Sequence, residues 1–145
     1  MPPGDLAGLA GLELGPTSWF EVTQERIDEF AAATQDPQWI HVDLERAAAG
    51  PFGTTIAHGF LTLSLVVPML YEVLPATGGM AINYGVDRVR FPAPVPSGSR
   101  IRGRFRIDDV AELAGGAQLR IAATIEQEGG DKPVCVADLL VRIVA

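Results

Sequence analysis

A carboxylate and an imidazole stand five positions apart in a short segment that contains proline. Pro37 disfavours the α conformation at Asp36, so the sequence predicts a turn over Asp36 to Trp39 that delivers His41. That separation lets both side chains converge on one small molecule such as water. Adding water to an alkene conjugated with a carbonyl needs such a pair, a base on the water and an acid at the α carbon. A turn aspartate and a structural histidine are the alternative interpretation.

A second candidate feature is the start of a long apolar segment at His58 and Gly59. The first amides of a helix have no intrahelical acceptor and lie at the positive end of its dipole, so they predict an oxyanion hole. Gly59 suits this role because a side chain there would obstruct a thioester oxygen. A plain helix start is the alternative. Further along, Ser64 could bond a ligand or only its own i−4 carbonyl.

Other chemistries fit the sequence less well. Asp36, His41 and His58 could form a metal site with two histidines and one carboxylate, but no close ligand repeat is present, so no metal is predicted. The sequence has no Gly-x-Ser-x-Gly elbow for a serine nucleophile. Cys135 lies in an apolar strand pattern, where burial should keep its thiol inert.

The order of predicted elements favours an α+β fold. A short strand near Trp19 precedes a helix capped by Thr23, and Asp43 caps a second helix over 44–49. The segment from Gly59 is apolar on nearly every face, which predicts a helix surrounded by protein. Beyond residue 80 the apolar period becomes two over four long strands, so one antiparallel sheet could wrap that helix.

Length and composition exclude several classes of protein. The 145 residues predict one domain, 1–145, in which 1–16 form a loosely ordered N-terminal segment. A net charge of −7 argues against binding to nucleic acid. One cysteine, an N-terminus without a basic region and the lack of a 20-residue apolar run predict a cytoplasmic protein that does not enter a membrane.

Six arginines and one aspartate lie between residues 80 and 106. Four of these arginines alternate with apolar positions along one strand, which is typical of a solvated sheet face. Arginines also suit the phosphates of a polyanionic carrier such as coenzyme A, and composition does not decide between the two.

Three strings together resemble the MaoC-like dehydratase family, and within it the single-domain (R)-specific enoyl-CoA hydratases similar to nodulation protein N. They are TQDPQWIHVD at 34–43, GTTIAHGFLTLS at 53–64 and AINYGVDRVRFPAPVP at 81–96. The resemblance implies a hot-dog fold, in which an antiparallel sheet wraps a long central apolar helix. It also implies a homodimer with acyl-CoA sites near the subunit interface and no cofactor.

Carried over by position, the resemblance implies a set of site residues. Asp36 and His41 match the catalytic pair, and Gly59 matches the oxyanion-hole amide. Ser64 matches a residue near that pair, and His58 matches a motif position to which no role is assigned. Together with Trp39 and Phe60, whose packing should set the depth of the pocket, they are the candidates for contact with substrate.

The sequence departs from the family at Gln35, where glycine commonly precedes the aspartate, and at Gln38-Trp39, which replaces Asn-Pro. The reaction predicted first is syn hydration of a trans-2-enoyl-CoA to an (R)-3-hydroxyacyl-CoA. The alternatives are acyl-CoA thioester hydrolysis and acyl-CoA binding without catalysis.

Overall fold

A six-stranded antiparallel sheet and one long helix make up most of the fold. The structure, a computed structural model, describes residues 3–145. The strands are β1 (Glu13–Leu14), β2 (Phe20–Val22), β3 (Met80–Arg90), β4 (Ser99–Leu113), β5 (Gly116–Gln127) and β6 (Cys135–Val144). The helices are a 3₁₀ helix (Pro3–Leu9), α1 (Gln24–Thr34), α2 (Trp39–Val42), α3 (Leu44–Ala48) and α4 (Gly59–Val73).

The sheet has two different edges. Its order is β1-β4-β5-β6-β3, all neighbours being antiparallel, and β2 also pairs with β4. The short strands β1 and β2 therefore cover the β4 edge. The 11-residue β3 pairs only with β6 and forms the other edge.

Alternating side chains of β4, β5 and β6 form the core against α4, as the period of two predicts. The inward residues are fully or almost fully buried, and they are Ile101, Phe105, Ile107, Leu119, Ile121, Ala123, Ile125, Cys135, Ala137, Leu139, Val141 and Ile143. Four buried apolar residues of α4 complete this core, namely Leu61, Val66, Met69 and Leu70. The predicted α+β order is confirmed.

Helix α4 is buried on one side only. The sequence predicts a helix surrounded by protein, but Phe60 is 70% exposed and Tyr71 is 56% exposed. The chain alone supplies one wall, the sheet, and leaves the opposite face of the apolar helix uncovered.

The short helices follow the predicted caps. The Thr23 hydroxyl accepts from the amide of Arg26 to begin α1, and the Asp43 carboxylate accepts from the amide of Arg46 to begin α3. The segment interpreted as a turn delivering His41 is in part the four-residue helix α2. One helical turn is too short to give an amphipathic period, so the sequence carries no signal for it.

Gln35 ends α1 in the left-handed conformation, with φ 59° and ψ 41°. This conformation costs an L-residue about 1–2 kcal/mol, and glycine avoids that cost but loses about 0.4–1 kcal/mol through the greater freedom of the unfolded chain. We therefore expect Gln35→Gly to raise the free energy of unfolding by about 0.5–1 kcal/mol in denaturant titrations. Gln35→Ala, which keeps Cβ, should leave it almost unchanged. Equal free energies of unfolding for Gln35→Gly and Gln35→Ala would contradict the argument that the left-handed conformation strains Gln35.

The N-terminal segment, for which the sequence predicts loose order, contacts the sheet. Leu6 and Leu9 of the 3₁₀ helix are buried in the core, and the amide of Gly11 donates to the carbonyl of Ile107. Further along, the amide and hydroxyl of Ser18 donate to the two carboxylate oxygens of Glu72. Met1 and Pro2, which belong to the predicted segment 1–16, lie outside the described residues. In the stretch from Pro3 to the C-terminus, no helix is both long and apolar enough to cross a membrane.

Candidate active site

Asp36 is held by its backbone at the end of α1. Because Gln35 turns into the left-handed region, the amide of Asp36 donates back to the carbonyl of Ala31 (3.0 Å). Pro37 follows and has no N–H, so the chain leaves the helix here. The carboxylate of Asp36 is about half exposed, at 52% of its side-chain surface. It can therefore meet a molecule that arrives from solvent.

His41 is buried in α2, and its ring is oriented by a backbone carbonyl. Nδ1 lies 2.7 Å from the carbonyl oxygen of Ile56. Because a carbonyl only accepts, Nδ1 carries the proton in the neutral ring and Nε2 presents a lone pair. The side chain of Gln24 donates to the carbonyl of His41 (2.8 Å) and accepts from the hydroxyl of Thr55, which fixes α2 against α1.

The structure brings Asp36, His41 and His58 together. One carboxylate oxygen and one ring nitrogen of each histidine lie within 4.8 Å of one another. One water can bridge groups at this spacing. The rings of His41 and His58 are stacked, with centroids 3.8 Å apart and planes 23° apart. A metal bound by both rings at about 2.1 Å would have to lie in both ring planes, which stacking prevents, so this cluster suits water better than a metal.

The pH dependence of His41 follows from its surroundings. Burial lowers the pKa of the His41 imidazole below its usual 6.5, and the neighbouring His58 acts in the same direction, against the hydrogen bond to Ile56 and the charge of Asp36. The neutral form of the ring therefore predominates at pH 7 and above.

We expect NMR titration of the His41 ring to give a midpoint below 6.5. The unfolded chain takes up this proton at higher pH than the folded chain, so the free energy of unfolding should also fall as the pH drops below about 6.5. His41→Gln should lack this component of the pH dependence. A midpoint at or above 6.5 would contradict the burial argument.

Gly59 is the first residue of α4, and His58 before it has extended backbone angles (φ −61°, ψ 139°). Within the part of the chain that the structure describes, the amide of Gly59 donates to no protein acceptor, whereas Leu61 and Thr62 donate to the carbonyl of His58. A Cβ at position 59 would lie 3.0 Å from the ring of Phe91. The absence of a side chain thus leaves room for Phe91 and a free N–H at the positive end of the helix.

A cavity of about 350 Å³ connects His41 with Gly59. Its lining is mainly apolar and comprises His41, Phe52, Ile56, Ala57, Gly59, Thr62, Phe91, Pro92, Ala93, Pro94, Val95 and Val134. Such a cavity fits an apolar chain that ends in one polar group near His41 and the Gly59 amide.

The four residues predicted to contact substrate lie in different places. His58 is 3% exposed and packs behind His41, and Phe60 lies at the rim with its ring edge-on to Phe91. Trp39 packs beneath the Arg46 guanidinium. Ser64 lines a separate groove beside β3, and its hydroxyl donates to the carbonyl of Phe60, which is the i−4 bond that the sequence left open.

Sequence reasoning did not single out several residues that shape the site. Phe52, Phe91 and Val134 line the cavity, and the carbonyl of Ile56 orients His41. Among these residues, only Phe91 stands out in the sequence, because the prolines that follow it restrict the backbone to an extended conformation. The others come from distant parts of the chain or act through the backbone, which no side-chain pattern reveals.

Two further predictions concern residues outside the cavity. Cys135 is fully buried in β6, and burial raises the pKa of its thiol to about 11, as expected for an inert cysteine.

Most of the arginines between residues 80 and 106 form ion pairs with carboxylates. The ion pairs are Arg100–Glu128, Arg102–Glu126, Arg104–Glu126, Arg106–Asp108 and Arg88–Asp138. These pairs favour the solvated face for five of the six arginines.

Comparison with known proteins identifies the class to which this fold and site belong. The family model described as the MaoC like domain matches residues 7–128. The chain belongs to this family, as the resemblance predicts, and it is an enzyme of the hydro-lyase class with the hot-dog fold.

Particular relatives extend over nearly the whole chain. It is 52% identical over 143 residues to 3-hydroxyacyl-thioester dehydratase Z of Mycobacterium tuberculosis H37Rv, covering 97% of this chain and 95% of the relative. It is 45% identical over 144 residues to nodulation protein N of Rhizobium leguminosarum bv. viciae, covering 96% and 89%. The solved (R)-hydratase from A. caviae superposes with a TM-score of 0.77 at 23% identity, covering 92% and 96%, which supports the fold.

Proposed function

We propose that the protein is an (R)-specific enoyl-CoA hydratase that reversibly adds water, in the syn sense, to a trans-2-enoyl-CoA. The observation that carries the proposal is the convergence of the Asp36 carboxylate and the His41 ring beside a cavity that also presents the Gly59 amide. The relative named 3-hydroxyacyl-thioester dehydratase Z supports a thioester substrate.

On the basis of this geometry we propose a role for each group. The water would donate one hydrogen bond to the Asp36 carboxylate and the other to the bare Nε2 of His41. As the water oxygen bonds to C3, Nε2 takes a proton, and the imidazolium then returns that proton to C2 on the same face of the substrate. The Gly59 amide would donate to the thioester oxygen, where negative charge develops when C3 is attacked. The reaction requires neither a metal nor a redox cofactor, since these groups supply the acid, the base and the oxyanion donor.

Coenzyme A is the proposed carrier of the acyl group. Of the six arginines between residues 80 and 106, Arg90 is the one that has no carboxylate partner in the described chain. It directly precedes Phe91 and Pro92, which line the cavity. Its Nη1 donates to the carbonyl of Val89, and its other N–H groups are available to a phosphate at the mouth. Because Cys135 is the one cysteine and acyl-CoA is a cytoplasmic metabolite, we place the enzyme in the cytoplasm.

We also propose a homodimer. The free edge strand β3 exposes Met80, Ile82 and Tyr84, and α4 exposes Phe60 and Tyr71 beside it. An exposed apolar edge strand invites pairing with another strand, and a second copy would also cover the bare face of α4. Sedimentation velocity should give twice the mass of the chain, whereas a monomer at micromolar concentration would contradict this assembly.

The test of function is absorbance at the conjugated enoyl-thioester band, with crotonyl-CoA and a longer trans-2-enoyl-CoA as substrates. A hydratase removes the band without releasing free thiol. Release of free thiol from a saturated acyl-CoA, together with no hydration of the two enoyl-CoA substrates, would instead identify thioester hydrolysis. Binding of acyl-CoA with neither change would identify a module without catalysis.

A further inference from the structure

We propose that His58 is a positioning residue that holds the turn of Asp36 in place behind the reacting groups. The proposal rests on the proposed hydratase function and adds a role for a residue that does not line the cavity. His58 is 3% exposed, so its ring is not available to substrate.

The first contact of His58 is with the backbone of the catalytic turn. Its Nε2 lies 3.0 Å from the carbonyl oxygen of Asp36 and 3.9 Å from a carboxylate oxygen of the same residue. Since the carbonyl only accepts, Nε2 must carry the proton. The amide of Asp36 is already bonded to Ala31, so this bond fixes the other end of the residue. Pro37 has no N–H that could hold the turn in its place.

The second contact is with the catalytic ring. His58 stacks on His41 at 3.8 Å between centroids, and Phe30 packs against His58 at 4.9 Å. His58 is also the residue before Gly59 and caps α4 through its carbonyl, which accepts from Leu61 and Thr62. One buried residue therefore connects the Asp36 turn and the His41 ring, through its side chain, with the start of the helix that offers the oxyanion donor, through its backbone.

The bond from Nε2 can be separated from the stacking by substitution. Nε2 of glutamine lies the same number of bonds from Cα as Nε2 of histidine, so His58→Gln keeps the donor and loses the ring. His58→Phe keeps the ring and loses the donor. A misplacement of about 1 Å costs up to roughly 100-fold in rate. We expect His58→Phe to lower kcat about 10- to 100-fold with KM within threefold, and His58→Gln to recover most of the loss.

Two results would overturn the proposal. One is a wild-type kcat for folded His58→Phe, with folding checked by its thermal midpoint. The other is equal impairment of the two variants, which would assign the effect to stacking. A merely structural role would lower the thermal midpoint and the active fraction, and His58→Gln would not selectively restore kcat.

A measurement independent of activity separates this proposal from the proposed function. The chain contains two histidines, so ¹⁵N-histidine labelling gives two ring systems. We expect His58 protonated on Nε2 and bare on Nδ1, and His41 protonated on Nδ1 at pH 7.5. A proton on Nδ1 of His58 would contradict the bond to Asp36 whether or not the protein hydrates enoyl-CoA.

Discussion

Gly59→Pro is expected to lower kcat for enoyl-CoA hydration by about 10²–10³-fold relative to Gly59→Ala, because proline removes the N–H proposed to bind the thioester oxygen. The substitution should disturb helix α4 little at this position. Proline is well tolerated at the first residue of a helix, where the N–H has no intrahelical acceptor. The extended angles of His58 also suit a residue that precedes proline.

Gly59→Ala is the matched control because it adds a Cβ and keeps the amide. That Cβ lies 3.0 Å from the ring of Phe91, which is 40% exposed and can shift outwards. Both variants carry the steric cost of Cβ, so their ratio reports the loss of the N–H together with the proline Cδ that takes the place of its hydrogen. Equal rates for the two variants would exclude the Gly59 amide as the oxyanion donor.

Asp36→Asn should lower kcat by about 10²–10⁴-fold, because a neutral amide cannot replace the charged carboxylate that accepts a hydrogen bond from the bound water. The change is nearly isosteric at a half-exposed side chain, so the thermal midpoint should stay close to that of the wild type. Initial rates with crotonyl-CoA measure the effect.

Glu29→Gln is the control for the loss of one negative charge. Glu29 lies on the exposed side of α1, and within residues 3–145 it is not part of the cluster of Asp36, His41 and His58. Its rate should equal that of the wild type. A fall in the rate of Glu29→Gln as large as that of Asp36→Asn would mean that net charge, rather than the Asp36 carboxylate, sets the rate.

Much of the candidate site follows from local sequence. The five-residue spacing of Asp36 and His41 and the glycine at the start of an apolar helix are local features. The structure places His41 and Gly59 in the lining of one cavity and the Asp36 carboxylate beside His41. The contacts that orient them are not local. The Ile56 carbonyl that sets the tautomer of His41 belongs to the backbone of another segment, so the types of the residues do not predict this contact.

The fold was predictable to a similar degree. Apolar alternation on four strands and the composition of α4 predict a sheet packed on a helix, because burial imposes these periods. The same composition predicts a helix covered on every side, yet Phe60 and Tyr71 are exposed in the single chain. Hydrophobicity indicates that a face is to be buried without indicating whether the same chain or a second copy buries it.

The most direct test of the central claim is hydration of crotonyl-CoA in D₂O, with the product resolved by chirality and by NMR. If Asp36 and His41 hold one water on one face of the substrate, the product is a single diastereomer. It should carry the (R)-hydroxyl at C3 and one deuterium at C2, syn to that hydroxyl. An (S) product, or deuterium on both faces of C2 at early times, would contradict the account of a single water held between these two residues.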